Sequence, residues 1–132
     1  MKPKKNSADW YIAATHWLTS MVASGILGAI VIIAVAALTD NPTIDLVATI
    51  IVSPLVMWLA VKMSASYVNK TYVVKNASQI ILLSSVYLVI VAGGYRAYSF
   101  INSGVFQNEY IGFIIALVVF YIASKKYVKN NV

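Results

Sequence analysis

The chain has 132 residues, 61% of them hydrophobic and only 11% charged, with a net charge of +6. Its mean hydropathy is +0.80, and one domain of this length has too little interior to hide so much apolar side chain from water, so lipid is its natural solvent. With no cysteine, one histidine and four acidic residues, the chain lacks the groups for disulfides, thiolate sites, a metal centre or a carboxylate pair, and neither a cofactor nor an enzymatic reaction is expected.

Met1 to Asp9 reads as a mobile polar tail carrying Lys2, Lys4 and Lys5, and Trp10, Tyr11 and Trp17 follow as interfacial aromatics. A first membrane span is predicted over residues 16–38, close to the roughly 20 residues that cross a bilayer. Its start holds the sole histidine, His16, which reads as an interfacial residue. A lone histidine does not supply the paired axial ligands of a membrane haem site. Ser20, Ser24 and Gly28 recur every fourth residue, placing small side chains on one stripe where a second helix can come close.

Asp40-Asn41-Pro42 predicts a tight turn. The second span is predicted over residues 44–66. Pro54 removes a backbone donor in its middle, which predicts a bend near residues 49–53. Lys62 lies near its basic end, within reach of the interface. The third span is predicted over residues 79–98, with Ser84 and Ser85 inside it and Gly93-Gly94 closing it. A polar loop over residues 99–108 leads to a fourth span over residues 110–127.

All nine lysines fall on one side of these spans, and Asp40, Asp45, Arg96 and Glu109 on the other. Lysine marks the cytoplasmic side of membrane proteins, so the pattern predicts an all-α integral membrane protein of the cytoplasmic membrane, most naturally prokaryotic. It has one domain, residues 1–132, with four transmembrane helices arranged as two hairpins and both termini cytoplasmic. The basic charge is then a topology signal, and no nucleic-acid partner is expected.

Two stretches leave the membrane on the lysine side. They read Asn69-Lys70-Thr71-Tyr72-Val73-Val74-Lys75 and Ser124-Lys125-Lys126-Tyr127-Val128-Lys129. Positive-inside anchoring with an aromatic belt accounts for the residue types. It does not account for the matched Lys-x-Tyr-Val spacing. The other reading is a site for a lipid phosphate, in which Lys62, Lys70, Lys75, Lys125, Lys126 and Lys129 surround Tyr67, Tyr72, Tyr121 and Tyr127. Each lysine near the surface attracts an anionic head group by about 1 kcal/mol, and tyrosine packs on an acyl chain or sugar while its hydroxyl stays wet.

These stretches resemble the GtrA-like family of small four-helix membrane proteins. In that family each hairpin ends in a motif similar to Phe-x-x-Asn-basic-x-aromatic-x-Phe. Asn69, Lys70 and Tyr72 match the asparagine, basic and aromatic positions of the first copy. Tyr121, Lys125 and Tyr127 match the leading aromatic, basic and later aromatic positions of the second. Ser66, Ser124, Val74 and Lys129 depart from it, and His16-Trp17-Leu18 lacks the basic-Phe start of the family's first span. The resemblance implies translocation of a polyprenyl-phosphate-linked sugar to the outer leaflet for cell-surface glycosylation. A separate membrane glycosyltransferase would charge the carrier. It implies phosphate contacts from Lys70, Lys125 and Lys126, sugar or phosphate contacts from Asn69, and packing from Tyr72, Tyr121 and Tyr127. Arg96 would receive the head group on the far side, or would anchor the interface paired with Glu109.

Two other function classes fit the same composition. One is an accessory or structural subunit of a larger membrane complex. The other is a small channel or exporter working as a homo-oligomer, with a polar stripe from Thr19, Ser20, Ser24, Thr49, Ser53, Ser84 and Ser85.

Overall fold

The computed structural model describes residues 2–105 and 109–132, apart from the side chains of Asp45, Thr49 and Glu109. It is all-helical in its named elements. Helix α1 spans Asp9–Leu38, α2 Pro42–Thr71, α3 Ala77–Leu88, α4 Gly94–Ser103 and α5 Glu109–Tyr127. A π-turn, Val89–Gly93, joins α3 to α4, so Ala77–Ser103 is one continuous rod and four helices are long and apolar enough to cross a membrane.

The rods run past the predicted spans. Helices α1 and α2 have 30 residues each, about 45 Å at 1.5 Å per residue, against a hydrocarbon core of about 30 Å. The first two turns of α1 are helical because Ile12 and Ala13 find a buried face. Pro54 sits inside α2 without ending it. Gly93-Gly94 does not close the third span: the helix continues to Ser103, and Gly104 ends it at a φ of 65°, a left-handed conformation that glycine adopts without steric penalty. The predicted turn before α2 holds. Asn41 accepts from the Thr43 amide at 2.9 Å and Pro42 takes the first helical position, where a missing N–H costs nothing.

Helix α1 packs on α2 and α3, and α5 packs on α2 and α3, which closes a ring of four rods. The packing is uneven along the rods. Every buried residue belongs to one half. Among the described residues none from 21 to 59, and none from 89 to 119, is buried. One cluster joins Ile12, Ala13, Ala65, Val68, Tyr72, Val74, Ile80, Ile81 and Val128. A second, one layer deeper, joins Val61, Leu88, Phe120 and Ala123. Toward the other end the described side chains are half-buried or exposed. The small-residue stripe of α1 is buried at Ser20. Ser24 and Gly28 instead line a cavity of about 170 Å³ against Val52, Ser53, Val56 and Met57 of α2.

The well-packed end is also where both termini sit. The Tyr72 amide still bonds the Val68 carbonyl and the Asn76 carbonyl accepts from Ile80, but the backbone between them has no helical partners, and in an apolar setting such groups must be paired. Both chain tails supply the partners. Lys5 donates its amide to the Thr71 carbonyl at 2.8 Å and accepts from the Val73 amide at 2.9 Å, as one rung of parallel β structure. The N-terminal tail is therefore docked, not mobile, over this stretch. From the other terminus, Asn131 donates its carboxamide to the carbonyls of Asn69 and Tyr72 at 3.0 and 2.9 Å. It accepts from the Val74 amide at 2.8 Å and returns its own amide to the Val74 carbonyl at 3.0 Å. Asn130 caps the start of α3 at the Ala77 amide, 2.7 Å away.

Replacing Asn131 by Ala removes three hydrogen bonds to main chain at once. Hydrogen bonds of this kind contribute about 1 kcal/mol each, so the loss expected is about 1–3 kcal/mol. It should appear as a lower Tm in detergent and as faster hydrogen exchange at the Val74 amide. Unchanged exchange there would contradict the docked C-terminal tail.

Candidate functional site

The two lysine-bearing exits meet. Asn69, in the last turn of α2, donates its carboxamide to the Tyr127 carbonyl at 2.8 Å and accepts from the Lys129 amide at 3.4 Å. Its side chain thus joins the first exit to the second. Tyr72 is buried, 4% exposed, and meets the Tyr11 ring edge-on at 6.1 Å. Val128, at the position matching Val73, fills the same cluster as Tyr72 and Val74. Lys70, Lys125, Lys126 and Tyr121 are exposed, and Tyr127 is half-buried.

Tyr127 is the centre of a second grouping. Trp58 of α2 donates its indole N–H to the Tyr127 hydroxyl at 3.1 Å, and the two rings meet edge-on at 5.8 Å. The phenol oxygen accepts, which leaves its own proton to donate. Two ammonium groups come to this ring pair. Lys126 Nζ stands 5.4 Å from the Trp58 centroid and 5.5 Å from that of Tyr127. Lys62 Nζ reaches the Tyr127 ring from α2 at 5.8 Å. Aromatic faces attract cations at such distances by about 0.5–1 kcal/mol at exposed sites. Two cations and one hydroxyl proton thus meet on a half-exposed aromatic platform, an arrangement with the chemistry to receive an anion.

The remaining residues of the exits divide between two places. Tyr121 lies away from the platform, in an apolar groove of about 550 Å³ between α3 and α5 lined by Ser85, Val86, Val89, Leu117, Val118 and Ile122. Lys125 follows Tyr121 by four residues in α5, so it stands on the same stripe one turn toward the lysine-rich end. Lys129 turns back to donate to the Lys125 carbonyl at 3.3 Å, where a cation also complements the negative end of the helix.

Sequence reasoning missed the polar centre of the bundle. His16 is fully buried, not interfacial. Its Nδ1 lies 2.9 Å from Ser64 Oγ of α2 and its Nε2 lies 2.9 Å from Ser124 Oγ of α5. Ser64 donates its one proton to the His16 carbonyl at 2.8 Å. Nδ1 must then carry the hydrogen that Ser64 accepts, and Nε2 accepts from Ser124. A neutral imidazole so placed has both nitrogens satisfied, and three helices are tied at one ring. Phe120 closes the ring's face at 5.5 Å. Ser124, a departure from the family's asparagine, is therefore an internal partner of His16. The signal was present as one polar residue in each of three apolar helices, but period alone does not show that their heights match.

The polar stripe considered for a channel is turned onto helix backbone. Ser20 donates to the His16 carbonyl at 2.7 Å, Ser24 to Met21 at 3.0 Å, Ser84 to Ile80 at 2.7 Å and Ser85 to Ile81 at 2.8 Å. Such bonds satisfy hydroxyls within the helix itself. Asp45, the Thr49 position of that stripe, and the pairing of Glu109 with Arg96 lie outside the described side chains.

No family model, curated protein or solved structure matches the chain.

Substituting His16 by Leu removes the ring partner of the Ser124 hydroxyl, while Ser64 keeps its bond to the main-chain carbonyl of residue 16, and should destabilise the bundle by about 1–3 kcal/mol. Adding Ser124→Ala should then cost little more, because the two residues share one interaction. Denaturant titration of the single and double variants measures this, and additive losses would refute the bridge.

Proposed function

We propose that the protein carries a lipid phosphate between membrane leaflets, and that its cargo is a polyprenyl-phosphate-linked sugar destined for cell-surface glycosylation. In this reading the lysine-rich end faces the cytoplasm, by the positive-inside rule. The carrier makes and breaks no covalent bond. A membrane glycosyltransferase supplies the charged lipid, and the chain is a divergent relative of the GtrA-like proteins.

One observation carries the reading. Lys62 and Lys126, from two different helices, converge on the Trp58–Tyr127 pair. Membrane anchoring calls for lysines at helix ends, yet it gives no reason for two of them to share one ring pair, since like charges repel. An anion between them removes that repulsion. The phosphate takes the ammonium groups and the Tyr127 hydroxyl, and the sugar packs on the half-exposed rings. The prenyl chain lies in the apolar α3–α5 groove beside Tyr121, with Lys125 above it at head-group height. Lys70 adds to the positive field at the same end. Asn69 serves the site by fixing the Tyr127 carbonyl, and Tyr72 by filling the core beneath it.

Two lysines at about 1 kcal/mol each correspond to about a 30-fold loss of lipid affinity. The double variant Lys62→Gln, Lys126→Gln should show that loss for polyprenyl phosphate by native mass spectrometry. Lys2→Gln with Lys4→Gln removes the same charge from the same end and should retain the lipid. Equal losses in both pairs would reduce the site to general positive charge and contradict the assignment.

A further inference from the structure

The sole arginine stands at the other end of the molecule, and its surroundings are unlike those of an interfacial anchor. Arg96 belongs to the 27-residue rod Ala77–Ser103, seven residues before its end, or about 10 Å along the axis. An anchor at that depth reaches outward to water. Arg96 instead reaches inward. Its Nη1 donates to the Ala92 carbonyl at 3.1 Å, one turn deeper, within the π-turn. Its guanidinium lies over the Phe113 ring at 4.9 Å. Its Nε is buried with no hydrogen-bond partner.

A guanidinium carries five N–H donors in a planar fork. A buried donor left unpaired costs about 1–3 kcal/mol, more where the group is charged. Arginine within a membrane-spanning segment is costly and marks a functional site by default, and π-turns inside α-helices gather at such sites. Here the group faces a cavity of about 390 Å³ between α4 and α5. Its described lining is Gly93, Ala97, Phe100, Tyr110, Phe113 and Ile114, without a carboxylate. Gly93 forms the wall beside Phe113, whose ring lies 3.5 Å from where a Cβ would stand, an ordinary contact distance.

We propose that this pocket binds the phosphate of an anionic membrane lipid in the leaflet opposite the lysine-rich end. Charge complementarity names the occupant: a fixed cation with free donors in an apolar cavity requires an anion that also brings apolar substance. A phosphate oxygen accepts from the guanidinium N–H groups that the Ala92 carbonyl leaves free, and the glycerol and upper acyl carbons meet Phe100, Phe113 and Ile114. The site is independent of the lysine platform and stands whether or not that platform carries cargo.

The test is native mass spectrometry of the full chain reconstituted in phosphatidylcholine with and without dioleoyl phosphatidic acid. Wild-type protein should retain phosphatidic acid, and Arg96→Gln should lower that retention at least about tenfold. Arg96→Lys, with helicity checked by circular dichroism, should keep part of it. Lys62→Gln with Lys126→Gln should leave the Arg96-dependent portion unchanged, so failure of the platform and failure of this pocket read out separately. Equal retention by wild type and a folded Arg96→Gln would overturn the site. Retention that emerges only in Glu109→Gln would overturn it also, since the charge would then be satisfied within the chain. Displacement by equimolar inorganic phosphate would overturn the lipid as occupant.

Discussion

The fold depends on the pairing of the backbone that links α2 to α3. Tyr72–Asn76 turn the chain between its two hairpins at the edge of an apolar bundle, where unpaired amides and carbonyls are costly. A helix cannot satisfy them, because the chain must reverse. The solution takes both termini: Lys5 pairs with the segment from one side and Asn131 from the other. Once the C-terminal tail is held there, the end of α5 is fixed beside the end of α2, and Asn69 closes the joint at the Tyr127 carbonyl. The platform of Trp58, Lys62, Lys126 and Tyr127 exists because these two helix ends are held side by side.

A second consequence is the gradient of packing along the rods. The joint and the His16 bridge lie at the same end as both hydrophobic clusters. Beyond Met21 and Leu88 the described rods bury no residue, and cavities lie there between α1 and α2 and between α4 and α5. A well-packed end that bears the lysines and a less buried end with crevices give a small bundle two unlike environments. A carrier needs such unlike environments, because holding a head group requires pre-set geometry and passing one requires helices that can part.

Much of this architecture is legible in the sequence because the membrane constrains it strongly. Four apolar runs of sufficient length, the lysine distribution and the Asn41-Pro42 helix start follow from hydropathy and capping rules alone. The docked tails were not legible, because Lys5, Asn130 and Asn131 look like ordinary polar termini and their partners are 53 to 68 positions away. His16 read as interfacial for a similar reason: its burial depends on Ser64 and Ser124 arriving at one height, which is a property of helix registry. The matched Lys-x-Tyr-Val spacing puts its two tyrosines in different surroundings. Tyr72 is core and Tyr127 is platform, because only the second exit stands beside an indole from α2. Arg96 was legible as the one basic residue off the lysine side, whereas its inward reach rests on a π-turn that no sequence period announces.

The central claim is that this bundle moves a lipid phosphate between leaflets. A fluorescently labelled polyprenyl phosphate in liposomes, with an outer-leaflet quencher, tests it most directly. Liposomes holding the wild-type protein should lose nearly all fluorescence as inner-leaflet lipid reaches the quencher, while empty liposomes and those holding the Lys62→Gln, Lys126→Gln variant should retain about half. Equal protection in wild-type and empty liposomes would contradict the account.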